Sequence, residues 1–297
     1  MEGKAGVRNA MSQSSVISRV GPKEPTETCW DPTKIPPFPA IALKALNMLG
    51  GKDTSLLNLC DLIRSDPAVS IAVLQIANSP LIAFPKSVTS VLQASMLLGF
   101  RRLRSIVITV GLKSYLANSF TPLMTACWRH SVATAIIAER SATWSFLDTD
   151  FAYTAGILHD IGRVALATLM PSSYGCVVER VADHALQVLQ IEQELCGIDH
   201  CQAGRALIAT WGLPEPLCEI AACHHDPTQT PAGTAALIPP SCALADCLGF
   251  HVVPYRCNRG YAEVLEDFPK AARKHFPADA QEFVSEIATE IRVIESA

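Results

Sequence analysis

No apolar run in this 297-residue chain is long enough to cross a bilayer. The longest, such as residues 105–112, fall well short of the roughly 20 residues a spanning helix needs. Residues 1–20 are polar and lack the continuous apolar stretch of an export signal, so a soluble, cytoplasmic protein is expected. Neither sign of charge dominates: 24 Lys+Arg stand against 28 Asp+Glu, and a formal net charge of −4 advertises no nucleic-acid or membrane partner. No segment alternates apolar and polar residues at period two for long enough to make a strand. There is no Gly-rich nucleotide loop, no fixed-period repeat and no Cys-x-x-Cys. The 11 cysteines, an odd number in a chain without an export signal, argue against a disulfide framework. Three pairs recur five residues apart, Cys196/Cys201, Cys218/Cys223 and Cys242/Cys247. On one helix that offset turns the two thiols away from each other, so they read as small buried fillers.

What the chain does have is apolar residues at helical spacing. With 49% hydrophobic and 18% charged residues it can bury a large core, as one domain or two packed lobes. Residues 1–34 are short on periodicity and rich in proline, and read as a flexible tail. A stiff Ile35-Pro36-Pro37-Phe38-Pro39 leads into a helix stopped by Gly50-Gly51. Thr54 or Ser55 caps the next, and Asp66-Pro67 starts a third, with the carboxylate as cap and proline in the first turn. A helix from Ser87 is expected to close at Gly99 and a longer one to run over 100–117. Arg101, Arg102 and Arg104 sit near the start of that longer helix, where positive charge opposes the macrodipole. They answer to something outside the helix or form a solvated face paired with acids. Thr121-Pro122 opens a helix through His130 to Trp144, and Asp148 to Asp150 cap the one leading to His159-Asp160. Short helices follow to His225, then a loop over 227–231, a helix from Ser241 to Leu248 after Pro239-Pro240, and a last one with Phe283, Ile287, Ile291 and Ile294 on one face. The fold class is all-α.

The polar residues set among these apolar helices carry the chemistry. His159 and Asp160 adjoin inside Ala155-Gly156-Ile157-Leu158-His159-Asp160-Ile161-Gly162-Arg163, one of the most apolar stretches of the chain. An imidazole and a carboxylate are costly to bury unless paired, hydrogen-bonded or bound to a metal. His130, His200, His224, His225 and Asp246 supply further candidate ligands from separate segments. Imidazole and carboxylate together suit a divalent iron, manganese or zinc ion, and helical bundles build such sites from inward-facing residues of several helices. His184, His251 and His275 lie in more polar or turn-like surroundings and are not candidates.

The order His130, then His159-Asp160, then Asp246 resembles the H…HD…D ligand pattern of the HD phosphohydrolase superfamily. The frame around it is more specific. Ile35-Pro36-Pro37-Phe38-Pro39-Ala40, Ser65-Asp66-Pro67-Ala68, Ile76-Ala77-Asn78-Ser79 and Leu98-Gly99-Phe100-Arg101-Arg102-Leu103 resemble the N-terminal signatures of the HDOD (HD-related output) domain. In the second half Ala155 to Gly162, Asp199-His200, Trp211-Gly212-Leu213-Pro214 and His224-His225 do the same. The likeness runs from about residue 35 to about residue 230. It implies a two-lobed helical HDOD fold with an HD-like second lobe. The HDOD domain would span 35–235, divided into an N-terminal lobe (35–117) and the HD-like lobe (118–235), with helices of 236–297 completing the latter. It also implies bacterial signal transduction, in a family whose members are often regulatory.

Two departures bear on catalysis. Superfamily hydrolases can place a lysine shortly after the HD pair to hold phosphate, where this chain has Arg163, a planar fork of different reach. The HD-GYP phosphodiesterases, which cleave cyclic di-GMP, carry Gly-Tyr-Pro after their paired histidines, whereas His224-His225 is followed here by Asp226-Pro227-Thr228. The expected function is therefore a non-catalytic signalling platform with protein partners and a retained metal-capable site, leaning away from an enzyme. The alternative is a metal-dependent phosphohydrolase acting on a phosphomonoester or nucleotide. In it His130, His159, Asp160 and Asp246 hold one metal, His200, His224 and His225 help hold a second, and Arg163 contacts phosphate.

Overall fold

The carboxylate of Asp66 accepts from the backbone N–H groups of Ala68 and Val69 at 3.0 and 3.1 Å, and Pro67 fills the first turn where no donor is needed. In the computed structural model, which describes residues 30–48, 55–116, 121–181, 187–226, 229, 232–253 and 259–296, this cap starts α3 (Pro67–Ala77). It follows α1 (Ala40–Asn47) and α2 (Leu56–Arg64), the latter capped by Ser55. These three pack on α4 (Val91–Leu116), which is kinked at Gly99, where φ is 73° and ψ 167°. Only glycine adopts that conformation without strain, so the expected helix end is a sharp bend between two helical stretches. The tail up to residue 29, the Gly50-Gly51 stop and most of the 227–231 loop lie outside the described residues.

The second lobe is laid around α5 (Pro122–Trp144), which packs on α6 (Thr149–Leu158). Then come α7 (Ile161–Leu169), α8 (Pro171–Val181), α9 (Val188–Cys196), α10 (His200–Thr210) and α11 (Glu215–Cys223). A 3-10 turn over Gly233–Leu237 runs into α12 (Ile238–Cys247), which returns to α5. Pro239-Pro240 thus sits inside the first turn of α12 rather than before it, since the first turn's N–H groups have no intrahelical acceptor and proline loses nothing there. Two short helices that periodicity did not announce, α13 (Tyr261–Leu265) and α14 (Lys270–Arg273), lead to α15 (Ala280–Glu295). The described residues form helices and no strand, and none of these helices is long and apolar enough to cross a membrane. Cys60, Cys127, Cys176, Cys196, Cys201, Cys218, Cys223 and Cys242 are free thiols.

The lobes share a polar seam. Arg104 is fully buried, 2.6 Å from the Asp150 carboxylate at the start of α6, and its guanidinium also donates to Thr154 Oγ1. Arg101 donates to Thr149 Oγ1 at 2.6 Å. Two of the three arginines therefore face the other lobe, and Arg104 belongs to no solvated face. The C-terminal helix α15 spans the same seam. It meets α3, α4 and α5 together, and Glu286 and Glu290 both take hydrogen bonds from Arg140.

Candidate metal centre

Two glycines set the site's geometry. A Cβ at Gly156 would lie 2.6 Å from Ala135 Cα, so α6 rests directly on the backbone of α5. Three residues on, at the end of α6, His159 Nε2 comes within 3.3 Å of His130 Nε2. A Cβ at Gly162 would fall 1.8 Å from the His200 carbonyl oxygen, so the first turn of α7 touches the start of α10. Asp160, two residues before it, meets His200 and His224: its Oδ1 stands 3.2 Å from His200 Nε2 and 3.5 Å from His224 Nε2. The His-Asp pair occupies the two-residue turn between α6 and α7: His159 keeps helical backbone angles and donates its N–H to the Ala155 carbonyl, and Asp160, at φ −107° and ψ 16°, leaves the helix.

Each ring is tethered at one nitrogen. His159 Nδ1–H donates to the Gly156 carbonyl at 2.8 Å, His130 Nδ1–H to that of Phe250 at 3.0 Å and His224 Nδ1–H to that of Ala221 at 3.0 Å. His200 Nδ1 is 2.6 Å from Glu192 Oε2, which also accepts from the His200 backbone N–H. Tethering Nδ1 fixes the tautomer and turns the Nε2 lone pair inward, the usual outer support of imidazole ligands. Asp160 Oδ1 and Nε2 of His200, His224 and His225 are buried without an aligned hydrogen-bond partner. Desolvated polar atoms of this kind are costly unless something ligates or protonates them. Donor atoms of Asp160, His200, His224 and His225 lie within 4.8 Å of one another, and so do those of His130, His159 and Cys242. These residues fit a divalent transition metal.

The electrostatics agree with a dense, buried centre. Burial raises the Asp160 carboxyl, but Arg163 and His200 overcome it and hold the group well below the usual carboxylate range. Burial and the Arg163 charge disfavour a protonated His200, yet Glu192 outweighs them and lifts the ring to about 10. Burial pushes His159 well below its ordinary value, the neutral state that a ligand needs. Against burial, Asp246 and Cys242 raise His130 well above its ordinary value, so without a metal a proton sits among these rings. Metal and proton compete for the same lone pairs.

His130, His159, Asp160, His200 and His224 are buried together, with His225 partly buried beside them. Asp246, a quarter exposed, lies 3.3 Å from His130 Nδ1, at the ring edge opposite Nε2. Arg163 is buried, with Nε 2.6 Å from Asp160 Oδ2 and Nη1 reaching Tyr174 and Glu192. A cavity of about 770 Å³ opens onto the cluster and is lined by His130, Asp160, Arg163, His224, His225, Asp246 and also His251, set aside on sequence. Glu192, Tyr174 and Cys242 are the site residues that sequence reasoning missed.

Comparison with known proteins follows the same outline. A profile of the HDOD domain family matches residues 35–227. An HDOD domain protein of unknown function from Geobacter sulfurreducens superposes with a TM-score of 0.73 at 26% identity, covering 89% of this chain and 92% of that one. A protein provisionally named a phosphohydrolase, from Shewanella amazonensis SB2B, gives a TM-score of 0.64 at 20% identity over 87% of this chain and 91% of that one, a likeness of fold. An uncharacterized protein of Treponema pallidum is 24% identical over 206 residues, 69% of this chain and 40% of that relative's length. Cys242 and Asp246 lie beyond the matched segment, so the centre draws on helices outside it.

Proposed function

This chain belongs to the HDOD domain family, and from that premise we propose that it is a cytoplasmic bacterial signal-transduction protein. It acts as a non-catalytic helical platform for protein partners, with a buried site for a divalent iron, manganese or zinc ion in a structural or regulatory role. One observation carries this reading over a hydrolytic one. Arg163, the cation placed where an HD hydrolase could hold phosphate, is committed to Asp160, Glu192 and Tyr174 inside the protein. It braces a ligand rather than waiting for a substrate. The seam gives such a site a route outward. α6 is gripped at its start by Arg101 and Arg104 and delivers His159-Asp160 at its end. An ion could bias the first lobe only if it bound two arrangements of that helix with different affinity.

The second reading, a metal-dependent phosphohydrolase acting on a phosphomonoester or nucleotide, is favoured by the 770 Å³ cavity over the donors. In it His130, His159, Asp160 and Asp246 would hold one metal, with His200, His224 and His225 helping to hold a second. A divalent ion there would lower the pKa of a bound water and neutralise phosphoryl oxygens. Metal analysis of the purified chain, followed by assay of the metal-replete protein on phosphomonoesters and cyclic dinucleotides, decides between them. The platform reading expects bound metal and no turnover, cyclic di-GMP included. Hydrolysis at about 1 per second or faster, abolished in His159→Ala, would replace it with the hydrolase.

A further inference from the structure

The donors divide into two groups of different chemistry. Around Asp160 they are carboxylate and imidazole. Around His130 they include sulfur: Cys242 Sγ lies 3.5 Å from His130 Nε2, which is itself 3.3 Å from His159 Nε2. A tetrahedral ion with bonds of about 2.05 Å to nitrogen and 2.3 Å to sulfur spaces its donors about 3.3 Å apart for N and N and about 3.6 Å for N and S. Both distances are already present. Both imidazoles donate Nδ1–H to backbone carbonyls, of Phe250 and Gly156, so their Nε2 lone pairs face each other across 3.3 Å. Two facing lone pairs repel unless a proton or a metal cation stands between them.

Asp246 does not take this place. It and Cys242 lie four residues apart on α12, on one face of the helix. The carboxylate reaches the far edge of the His130 ring, 3.3 Å from Nδ1, where it supports the ring from outside, and the thiol faces the lone pairs.

We propose that His130, His159 and Cys242 form a thiolate-containing site for a thiophilic divalent ion of the zinc class, with Asp246 as a positioning residue behind His130. The proposal rests on the reading that the cluster binds metal and adds which donor and which ion. Two imidazoles and a thiolate favour zinc over manganese, magnesium or calcium. Binding releases the Cys242 proton to solvent, and the thiolate sulfur gives its lone pair to the ion.

The test is cobalt(II) titration of the reduced, chelator-treated full chain, read by absorbance and by calorimetry. The expected result is a near-ultraviolet sulfur-to-cobalt charge-transfer band that zinc abolishes by displacement. Cys242→Ser should lose the band and bind zinc at least about tenfold more weakly, whereas Asp246→Asn should keep the band with affinity lowered about 10–100-fold. Cys201→Ser, which removes the thiol 3.9 Å from His224, should keep it too. Calorimetric binding without the band overturns the thiolate assignment and leaves the metal reading standing. A band lost in Cys201→Ser instead of Cys242→Ser overturns it as well. No binding by either readout sinks both, and a proton alone then fills the gap between the rings. The wild-type spectrum needs no variant to fold.

Discussion

The two ends of α6 bury polar groups in opposite ways. At its start a cation from the other lobe, Arg104, meets an anion, Asp150, at 2.6 Å, and Thr154 takes a further hydrogen bond. At its end, Asp160 Oδ1 and the Nε2 atoms of His200 and His224 are buried together without an aligned hydrogen-bond partner. The first arrangement sets one cation against one anion and holds two lobes together, although Arg104 Nε and Nη1 find no aligned hydrogen-bond acceptor. The second is complete only with a cation or protons. Burial alone does not distinguish a structural polar cluster from a binding site. The distinction lies in the groups that meet: one cation set against one anion offers an ion no ligands, whereas several imidazoles converging on one carboxylate do.

The comparison breaks most visibly at the seam. Asp150→Asn leaves Arg104, with no exposure, beside a neutral amide, and unfolding in urea should show a loss of about 3–5 kcal/mol. The pair variant Arg104→Met with Asp150→Leu should recover most of it. A loss below about 1 kcal/mol for the single variant would mean that the seam is no more than a surface pair. At the other end the expectation reverses. His159→Gln, whose amide can still donate to Gly156, should leave metal-free stability within about 1 kcal/mol of wild type. It should remove the roughly 2.7 kcal/mol that zinc at a hundred times its dissociation constant adds to the wild type. Melting curves with and without chelator check this. Equal destabilisation by His159→Gln in both conditions would erase the contrast.

The smallest effect lies between the two ends, at Glu139 on α5. Burial, reinforced by Glu290 and opposed by Arg102, pushes its carboxyl up from 4.5 to about 7. Asp150 adds to the rise and Arg101 opposes it. The folded state holds this proton more tightly than the unfolded one, so the group's stabilising contribution is full below pH 4.5 and is lost as pH rises to about 7. Partial exposure reduces the effect to about 2 kcal/mol over that range. Glu139→Gln should flatten that slope in stability measured against pH. An unchanged slope would assign the pH dependence to other groups, the metal-centre histidines among them.

Much of this was legible in the sequence because it was local. Helix starts at Asp66-Pro67, Thr121-Pro122 and Asp148 are written in the capping residues themselves, and the bend at Gly99 in the one residue type that permits it. The HD pair stood out as polar residues in an apolar run. What stayed hidden depends on how helices meet. Arg104 and Glu192 nevertheless left a signal that spacing exposes. Leu103, Arg104, Val107 and Ile108 form one buried stripe of α4, and Val188, Ile191, Glu192 and Leu195 one stripe of α9. A charged residue on an apolar stripe needs a partner inside the protein. Cys242 left no such trace. A cysteine on an apolar face looks the same whether it fills space or faces a histidine, and only the approach of α12 to α5 tells them apart.

The contact at Gly162 has a consequence for what this centre can become. The main chains that carry Asp160 and His200 touch at this glycine, so repacking of neighbouring side chains cannot change their spacing, and only rotation of the two side chains adjusts the gap between their donors. The backbone spacing of the centre is fixed. A larger ion has only the rotation of the donor side chains to make room for it, and a larger change of ion preference, by selection or by design, has to come from exchanging one donor element for another. As a donor beside His130 and His159, the sulfur of Cys242 would alter what the centre attracts while leaving the spacing at Gly162 alone.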